Sequence, residues 1–180
     1  MSRFQPEPRG VLPFAEGDVF SRELRFDKES ISAFAALVGD ANPLHHDEAF
    51  AAHSRFGTLI ASGTQTASLM MATVASYFVA KGPALGLGFS ITLRRAVKVG
   101  TVWCATWSID NIRWRERLGG HVIALSGKLE NESGEIAVEA TAQSLFLLTP
   151  TGCENPATAC DPADITPRVV GCMLRGPGGG

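Results

Sequence analysis

The chain has 180 residues, of which 45% are hydrophobic and 19% are charged, and its formal net charge at pH 7 is −2. This length and apolar content suit one globular domain with its own core and require no division into two. The near-neutral charge and the lack of a long Lys or Arg run exclude nucleic acid as the expected partner.

The chain begins with a proline-containing segment, residues 1–17, that has no apolar run. Neither a signal peptide nor a membrane anchor is predicted there, so we expect a cytoplasmic protein with no membrane partner. From Asp18 to Phe26 apolar and polar residues alternate, with Phe20 and Leu24 on the same side as Phe26. This alternation predicts a half-buried first strand.

A short helix is predicted next, between the first strand and Gly39. Ser30 is a residue type that caps helices, and Gly39 is one that ends them. The apolar face of this helix is expected to consist of Ile31, Phe34, Ala35 and Val38.

The stretch from Gly39 to Asp47 combines a carboxylate, an imidazole and a proline turn between two apolar segments. Pro43 fixes its own φ and restricts the residue before it, so Asp40 and His45 lie on one rigid bend and can point into the same space. A carboxylate beside an imidazole can perform general acid and base catalysis. On residue types alone, an ordinary surface turn is an equal alternative.

A second helix is predicted in the uncharged region from Phe56 to Ala80, after a short helical turn over residues 48–53. Its length would suit a membrane span, but its many hydroxyl side chains favour a core helix that is buried on nearly all sides. We expect it to run from Ser62 or Gly63 to about Val79, with Ser62 or Thr64 as the N-cap. Unpaired backbone N–H groups would then lie at Gly63.

Strands and turns account for the rest of the domain. Alternating segments follow over residues 89–93, 101–117, 122–126 and 136–142, and glycine-containing turns at residues 119–120 and 131–134 predict two hairpins. One strand, helices and four further strands indicate an α+β protein in which a curved antiparallel sheet of about five strands wraps a long central helix. Such a sheet has exposed edges, which are usually paired or covered, so we expect a homodimer.

The four cysteines lack the spacing of a metal site, so no metal and no cofactor is predicted. Cys104 is predicted to be a buried structural thiol, whereas Cys153, Cys160 and Cys172 lie in a segment rich in Pro and Gly. We therefore divide the chain into a domain at residues 1–150 and a tail at residues 151–180 that is expected to be mobile or to lie over the surface.

The pattern Gly39-Asp40-x-Asn42-Pro43-Leu44-His45-x-Asp47, followed by Ala49, resembles the signature of the MaoC-like dehydratases, a family of the hotdog fold that includes the (R)-specific enoyl-CoA hydratases. The resemblance implies that Asp40 and His45 are the catalytic pair. Ala61-Ser62-Gly63 is similar to the start of the central helix in that family, which implies an oxyanion hole at the Gly63 N–H. A hotdog fold and a homodimer are also implied, in agreement with the predicted strand order.

The leading functional hypothesis is a hydro-lyase that adds water reversibly to a trans-2-enoyl-CoA and forms the (R)-3-hydroxyacyl-CoA. Asn42, Ser62, Arg94 and Arg95 are candidates for binding the substrate, Asn42 through the shape of the turn and the arginines through the coenzyme A phosphates. A solvated strand edge is an equal alternative for the arginines, and His46 and Asp47 either orient the pair or face solvent. The rival functions are an acyl-CoA thioesterase and a non-catalytic acyl-CoA-binding module.

Overall fold

The computed structural model describes residues 11–147. It contains three α-helices and five strands in these residues, together with single 3-10 turns at Pro43–His45 and Glu116–Leu118. The elements in chain order are β1 (Val19–Phe26), α1 (Lys28–Leu37), α2 (Glu48–His53), α3 (Gly63–Val79), β2 (Ala84–Leu93), β3 (Thr101–Arg115), β4 (Gly120–Glu130) and β5 (Ile136–Phe146).

The five strands form one antiparallel sheet in the order β1-β3-β4-β5-β2. Strands β3, β4 and β5 form a meander, because the two predicted hairpins join them in sequence. Gly119 has a φ of 62°, in the left-handed region that glycine adopts without strain, and it completes the first of these turns. The α+β class, the strand number and the strand order around one long helix confirm the prediction.

Helix α3 packs against the sheet and supplies the centre of the core. Met70, Val74 and Phe78 are buried on its inner face, and they belong to the same hydrophobic cluster as Trp107 and Ile109 of β3. The start and end of α3 agree with the prediction, and Ser62 is its N-cap.

The prediction that α3 is buried on nearly all sides is wrong. A stripe along the helix is exposed in the single chain, and it consists of Thr64, Ser68, Met71, Ala75 and Val79. One sheet can cover only one side of a helix, so the opposite side of α3 faces outward. The stripe carries no charge, which is unusual for a helix surface that faces water.

Helix α1 begins earlier than predicted. Its N-cap is Asp27 and not Ser30, because the Asp27 side chain accepts a hydrogen bond from the Ser30 N–H at 2.7 Å. Ser30 therefore lies inside the first turn. Ile31 and Ala35 are buried as expected, but Val38 is 49% exposed because it follows the last helical residue.

Cys104 is buried, as predicted for a structural thiol. The predicted tail, its three cysteines and the predicted boundary at residue 150 lie outside the described residues. Within residues 11–147, no helix has the length and apolar character needed to cross a membrane.

Candidate active site

The bend that carries Asp40 begins where α1 ends. Gly39 has a φ of 75°, which turns the chain away from the helix axis. The Asp40 N–H then donates to the carbonyl of Ala35 at 2.8 Å, so the backbone of Asp40 is tied to the last turn of α1. Helix α1 thus fixes the position of the Asp40 backbone, from which the carboxylate side chain extends.

The turn after Asp40 is held by two side-chain hydrogen bonds. Asp40 Oδ1 accepts from the Asn42 N–H at 3.1 Å, and Asn42 Oδ1 accepts from the Leu44 N–H at 3.1 Å. Pro43 starts the 3-10 turn that leads to His45. Asn42 therefore shapes the turn through its side chain, as the sequence predicts.

Asp40 and His45 face each other across this turn. Asp40 Oδ2 lies 3.4 Å from His45 Nε2, slightly longer than a direct hydrogen bond. The His45 side chain is only 6% exposed, whereas the Asp40 side chain is 33% exposed. The carboxylate is consequently the more open member of the pair.

The backbone of a distant segment sets the tautomer of His45. Its Nδ1 lies 2.8 Å from the carbonyl oxygen of Ile60, and the Ile60 N–H donates to the Leu44 carbonyl at 3.1 Å. Because a carbonyl only accepts hydrogen bonds, Nδ1 must carry a proton. In the neutral ring, Nε2 then carries a lone pair 3.4 Å from Asp40 Oδ2, and a water molecule beside both atoms can donate one hydrogen to each.

The start of α3 lies close to this pair along the chain. Gly63 is three residues from Ile60, a separation that spans at most roughly 11 Å. Ser62 Oγ accepts from the Gln65 N–H and the Ser62 carbonyl accepts from the Thr66 N–H, both at 3.1 Å. Within residues 11–147, the N–H groups of Gly63 and Thr64 have no acceptor, so they can bind an oxyanion.

The C-terminal end of β2 reaches the same helix start. A methyl group added at Gly63 would lie 2.6 Å from Leu93 Cδ1, so the Leu93 side chain covers this glycine. Arg94 and Arg95 follow directly, but both guanidinium groups are held by carboxylates. Arg94 donates to Glu139 at 2.7 and 2.9 Å, and Arg95 lies 3.1 Å from Glu135.

Asp47 is the N-cap of α2, where its side chain accepts a hydrogen bond from the Phe50 N–H at 3.0 Å, so it does not face the pair.

The Ile60 carbonyl is a group of the site that the sequence does not predict. Ile60 contributes through its backbone, and its side chain is typical of a core residue. An apolar side chain carries no sequence signal for such a contact.

An apolar cavity of about 270 Å³ lies between α3, β2 and β5. Val74 and Phe78 of α3, Ala84 and Phe89 of β2, and Ser144 of β5 are among its lining residues. Met71 is the first residue of α3 to line it, which places its nearer end about 12 Å along the helix from Gly63.

Comparisons with known proteins agree on one family. The sequence model of the family described as "MaoC like domain" matches residues 14–120. The chain is 32% identical over 118 residues to an (R)-specific enoyl-CoA hydratase of Aeromonas caviae, and this alignment covers 66% of the chain and 84% of the relative.

A second relative and a solved structure point the same way. The chain is 34% identical over 100 residues to a 3-hydroxybutyryl-CoA dehydratase of Methylorubrum extorquens, covering 54% of the chain and only 62% of that relative's length. The crystal structure of an (R)-hydratase from A. caviae involved in PHA biosynthesis superposes with a TM-score of 0.67 at 28% identity, over 77% of the chain and 100% of that structure.

Proposed function

The chain belongs to the family of MaoC-like domains, and from this premise we propose that it is a hydro-lyase of the hotdog fold that adds water reversibly to a trans-2-enoyl-CoA. The observation that carries the proposal is the 3.4 Å contact between Asp40 Oδ2 and His45 Nε2, with the imidazole tautomer held by the Ile60 carbonyl. The product is the (R)-3-hydroxyacyl-CoA, as the name of the similar Aeromonas hydratase suggests.

The pair activates one water molecule. A water that donates to both Asp40 Oδ2 and His45 Nε2 directs its oxygen lone pairs away from them, to the side on which the substrate carbon would lie. When this oxygen bonds to the β-carbon of the enoyl thioester, one of the two groups takes the water proton and the other holds the water in place. The geometry allows either assignment, and the two groups act as a coupled pair.

The electron pair of the double bond moves toward the thioester carbonyl, which becomes an enolate oxygen. The Gly63 N–H at the start of α3 stabilises this charge, and the helix dipole adds to the effect. The pair then delivers the proton that it took from the water to the α-carbon, which leaves the hydroxyl group on the β-carbon and restores the pair. Ser62 borders the thioester and holds the helix start in place through its cap.

Arg94 and Arg95 remain proposed contacts of the coenzyme A phosphates. They follow Leu93, which packs on Gly63, so they lie at the end of the molecule where the thioester would bind. Both arginine side chains are more than half exposed, although they form ion pairs with Glu139 and Glu135. Replacing both arginines by Ala should raise KM for an enoyl-CoA but not for the corresponding pantetheine thioester, which lacks those phosphates.

The cavity along α3 is the proposed site of the acyl chain. It is lined mainly by apolar groups and borders the helix that begins at the proposed oxyanion hole. Because its nearer end lies about 12 Å along the helix from Gly63, short acyl chains would occupy little of it. A substrate with a longer chain would bury more apolar surface there and bind more tightly.

We also propose that the protein is a homodimer. Strand β2 is an edge of the sheet, and three of its leucines, Leu85, Leu87 and Leu93, are 58%, 46% and 52% exposed. Together with the uncharged outward stripe of α3, they form an apolar surface that a second copy would cover. Sedimentation at micromolar concentration should show twice the monomer mass, and a species of monomer mass alone would contradict the dimer.

The reaction is tested with trans-2-enoyl-CoA substrates of graded chain length. Hydration removes the conjugated double bond, so the absorbance of the conjugated thioester should fall and chiral analysis should give the (R)-alcohol. A thiol reagent added in parallel detects free coenzyme A, which a thioesterase would release. The cytoplasmic location predicted from the sequence belongs to the same proposal, and cell fractionation tests it.

A further inference from the structure

His46 lies directly after the catalytic candidate His45, but its ring points in another direction. His46 Nε2 lies 2.7 Å from the carbonyl oxygen of Asp40, and His46 Nδ1 lies 3.1 Å from Ser32 Oγ on α1. The ring therefore bridges the helix and the bend. Both contacts are partly buried, where water competes with them less than at the open surface.

Hydrogen-bond chemistry fixes the direction of this bridge. The Asp40 carbonyl can only accept, so His46 Nε2 must carry a proton and donate it. In the neutral ring Nδ1 then has a lone pair, and the Ser32 hydroxyl donates to it. The bridge runs from the Ser32 O–H through the His46 ring to the Asp40 carbonyl.

This bridge completes the attachment of Asp40 to its surroundings. The Asp40 N–H donates to the Ala35 carbonyl, its carbonyl accepts from His46, and its Oδ1 accepts from the Asn42 N–H. Only Oδ2 is left to face His45. The backbone of Asp40 is thus held on both sides of its Cα, which leaves its carboxylate little freedom to rotate away.

We infer that His46 and Ser32 are positioning residues for the reaction, and that they act by holding the Asp40 peptide so that Oδ2 stays at its working distance from His45. This inference rests on the proposed function. Neither side chain is required to touch the substrate. A displacement of about 1 Å at a reacting group can lower turnover by as much as a hundredfold, which sets the scale of the expected effect.

Three variants separate the two ends of the bridge. His46→Leu removes both contacts, whereas His46→Gln keeps an N–H donor near the position of Nε2 and loses the contact with Ser32. Ser32→Ala removes only the contact to Nδ1. The matched control is His53→Leu, because His53 also bonds a backbone carbonyl, that of Ala49 at 2.7 Å, but lies on α2 and has no contact with Asp40.

The expected result is a separation of kcat from KM. His46→Leu should lower kcat by about tenfold to a hundredfold and change KM by less than about twofold. His46→Gln should recover most of the loss, Ser32→Ala should show a smaller loss, and His53→Leu should match the wild type. A folded His46→Leu variant with wild-type kcat, or a Gln variant as slow as the Leu variant, overturns the inference.

A double variant tests whether His46 acts through Asp40. In an Asp40→Asn background, His46→Leu should cause no further loss of turnover, because the group that it positions is already absent. A further tenfold loss would show that His46 acts independently of Asp40 and would overturn the inference.

Nuclear magnetic resonance of the wild-type protein gives a readout that needs no activity. The nitrogen shifts of the neutral His46 ring should show a protonated Nε2 and an unprotonated Nδ1, and the opposite tautomer would contradict the bridge. This measurement also covers the case in which His46→Leu does not fold. A wild-type protein with the predicted tautomer and no hydratase activity would refute the proposed function but leave the bridge standing.

Discussion

Asp40 and His45 are predicted to act on one shared water, and a double-mutant cycle tests this. Asp40→Asn keeps the shape of the side chain but removes the carboxylate. His45→Asn removes Nε2 yet keeps an N–H donor near the position of Nδ1, so that the Ile60 carbonyl, 2.8 Å from Nδ1 in the wild type, retains a partner. Each variant therefore removes the reacting atom with little disturbance of its support.

The expected magnitude follows from the contact distance of 3.4 Å between Asp40 Oδ2 and His45 Nε2, at which one water can bind both atoms. Loss of a general acid or base lowers turnover by about a hundredfold or more, which is about 2.7 kcal/mol of activation free energy. Two independent groups would give a loss of about ten-thousandfold in the double variant. Groups that act on one water should give a loss near a hundredfold, and hence a coupling energy of about 2.7 kcal/mol.

The assay is the fall in absorbance of a trans-2-enoyl-CoA at saturating concentration, with thermal unfolding as a check on each variant. Binding of a saturated acyl-CoA, measured by calorimetry, should largely survive in all three variants. His53→Asn serves as the control, because His53 is an exposed histidine on the adjacent helix. Multiplicative losses would refute the shared water, and wild-type turnover in both folded single variants would mean that the bend is an ordinary surface turn.

Four further perturbations probe the surroundings of the site. Gly63→Ala would place a methyl group 2.6 Å from Leu93 Cδ1, the end of a flexible side chain that is 52% exposed and can move aside. It should therefore lower the free energy of unfolding in urea by at most about 1 kcal/mol, and adding Leu93→Ala should remove that loss; a loss that persists contradicts the contact. Leu87→Glu puts a charge on the exposed edge strand and should convert a dimer to monomers in sedimentation, and an unchanged mass would place the interface elsewhere. Ala84→Leu narrows the far end of the apolar cavity and should lower kcat/KM for long-chain enoyl-CoA substrates more than for crotonyl-CoA. Equal effects on both substrates would show that the acyl chain does not bind in this cavity. The hydrogen bond from the Ser30 N–H lowers the pKa of Asp27 below its usual 3.8, so the stabilisation of α1 by this cap is complete above pH 3.8 and is lost as the pH falls through the folded-state pKa. The gap in thermal midpoint between the wild type and Asp27→Ala should therefore shrink in acid, and a constant gap contradicts the cap.

The sequence predicts the central helix well because two independent signals agree there. Ser62 is a strong capping residue, and the uncharged run that follows needs a core. The start of α1 is harder to predict, since Asp27 and Ser30 are both good caps three residues apart. The alternation that ends at Phe26 allows a cap at either residue, and the structure shows Asp27 as the cap through its hydrogen bond with the Ser30 N–H.

Only the local part of the site can be predicted from the sequence. The proline turn fixes the proximity of Asp40 and His45 within six residues, so their approach to 3.4 Å follows from local geometry. The Ile60 carbonyl and the Ser32 hydroxyl come from segments 15 and 14 residues away from their histidine partners. Their contacts depend on how the bend packs against α1 and the start of α3, which no local pattern specifies.

The most direct measurement of the central claim is the reaction in oxygen-18-labelled water, with the products separated and analysed by mass spectrometry. If Asp40 and His45 direct water to the β-carbon, the label will appear in the 3-hydroxyl group of an intact acyl-CoA. The same product should form about a hundredfold more slowly with Asp40→Asn. Label in a free carboxylate together with released coenzyme A, or no label in any product of the folded wild-type protein, would contradict the account.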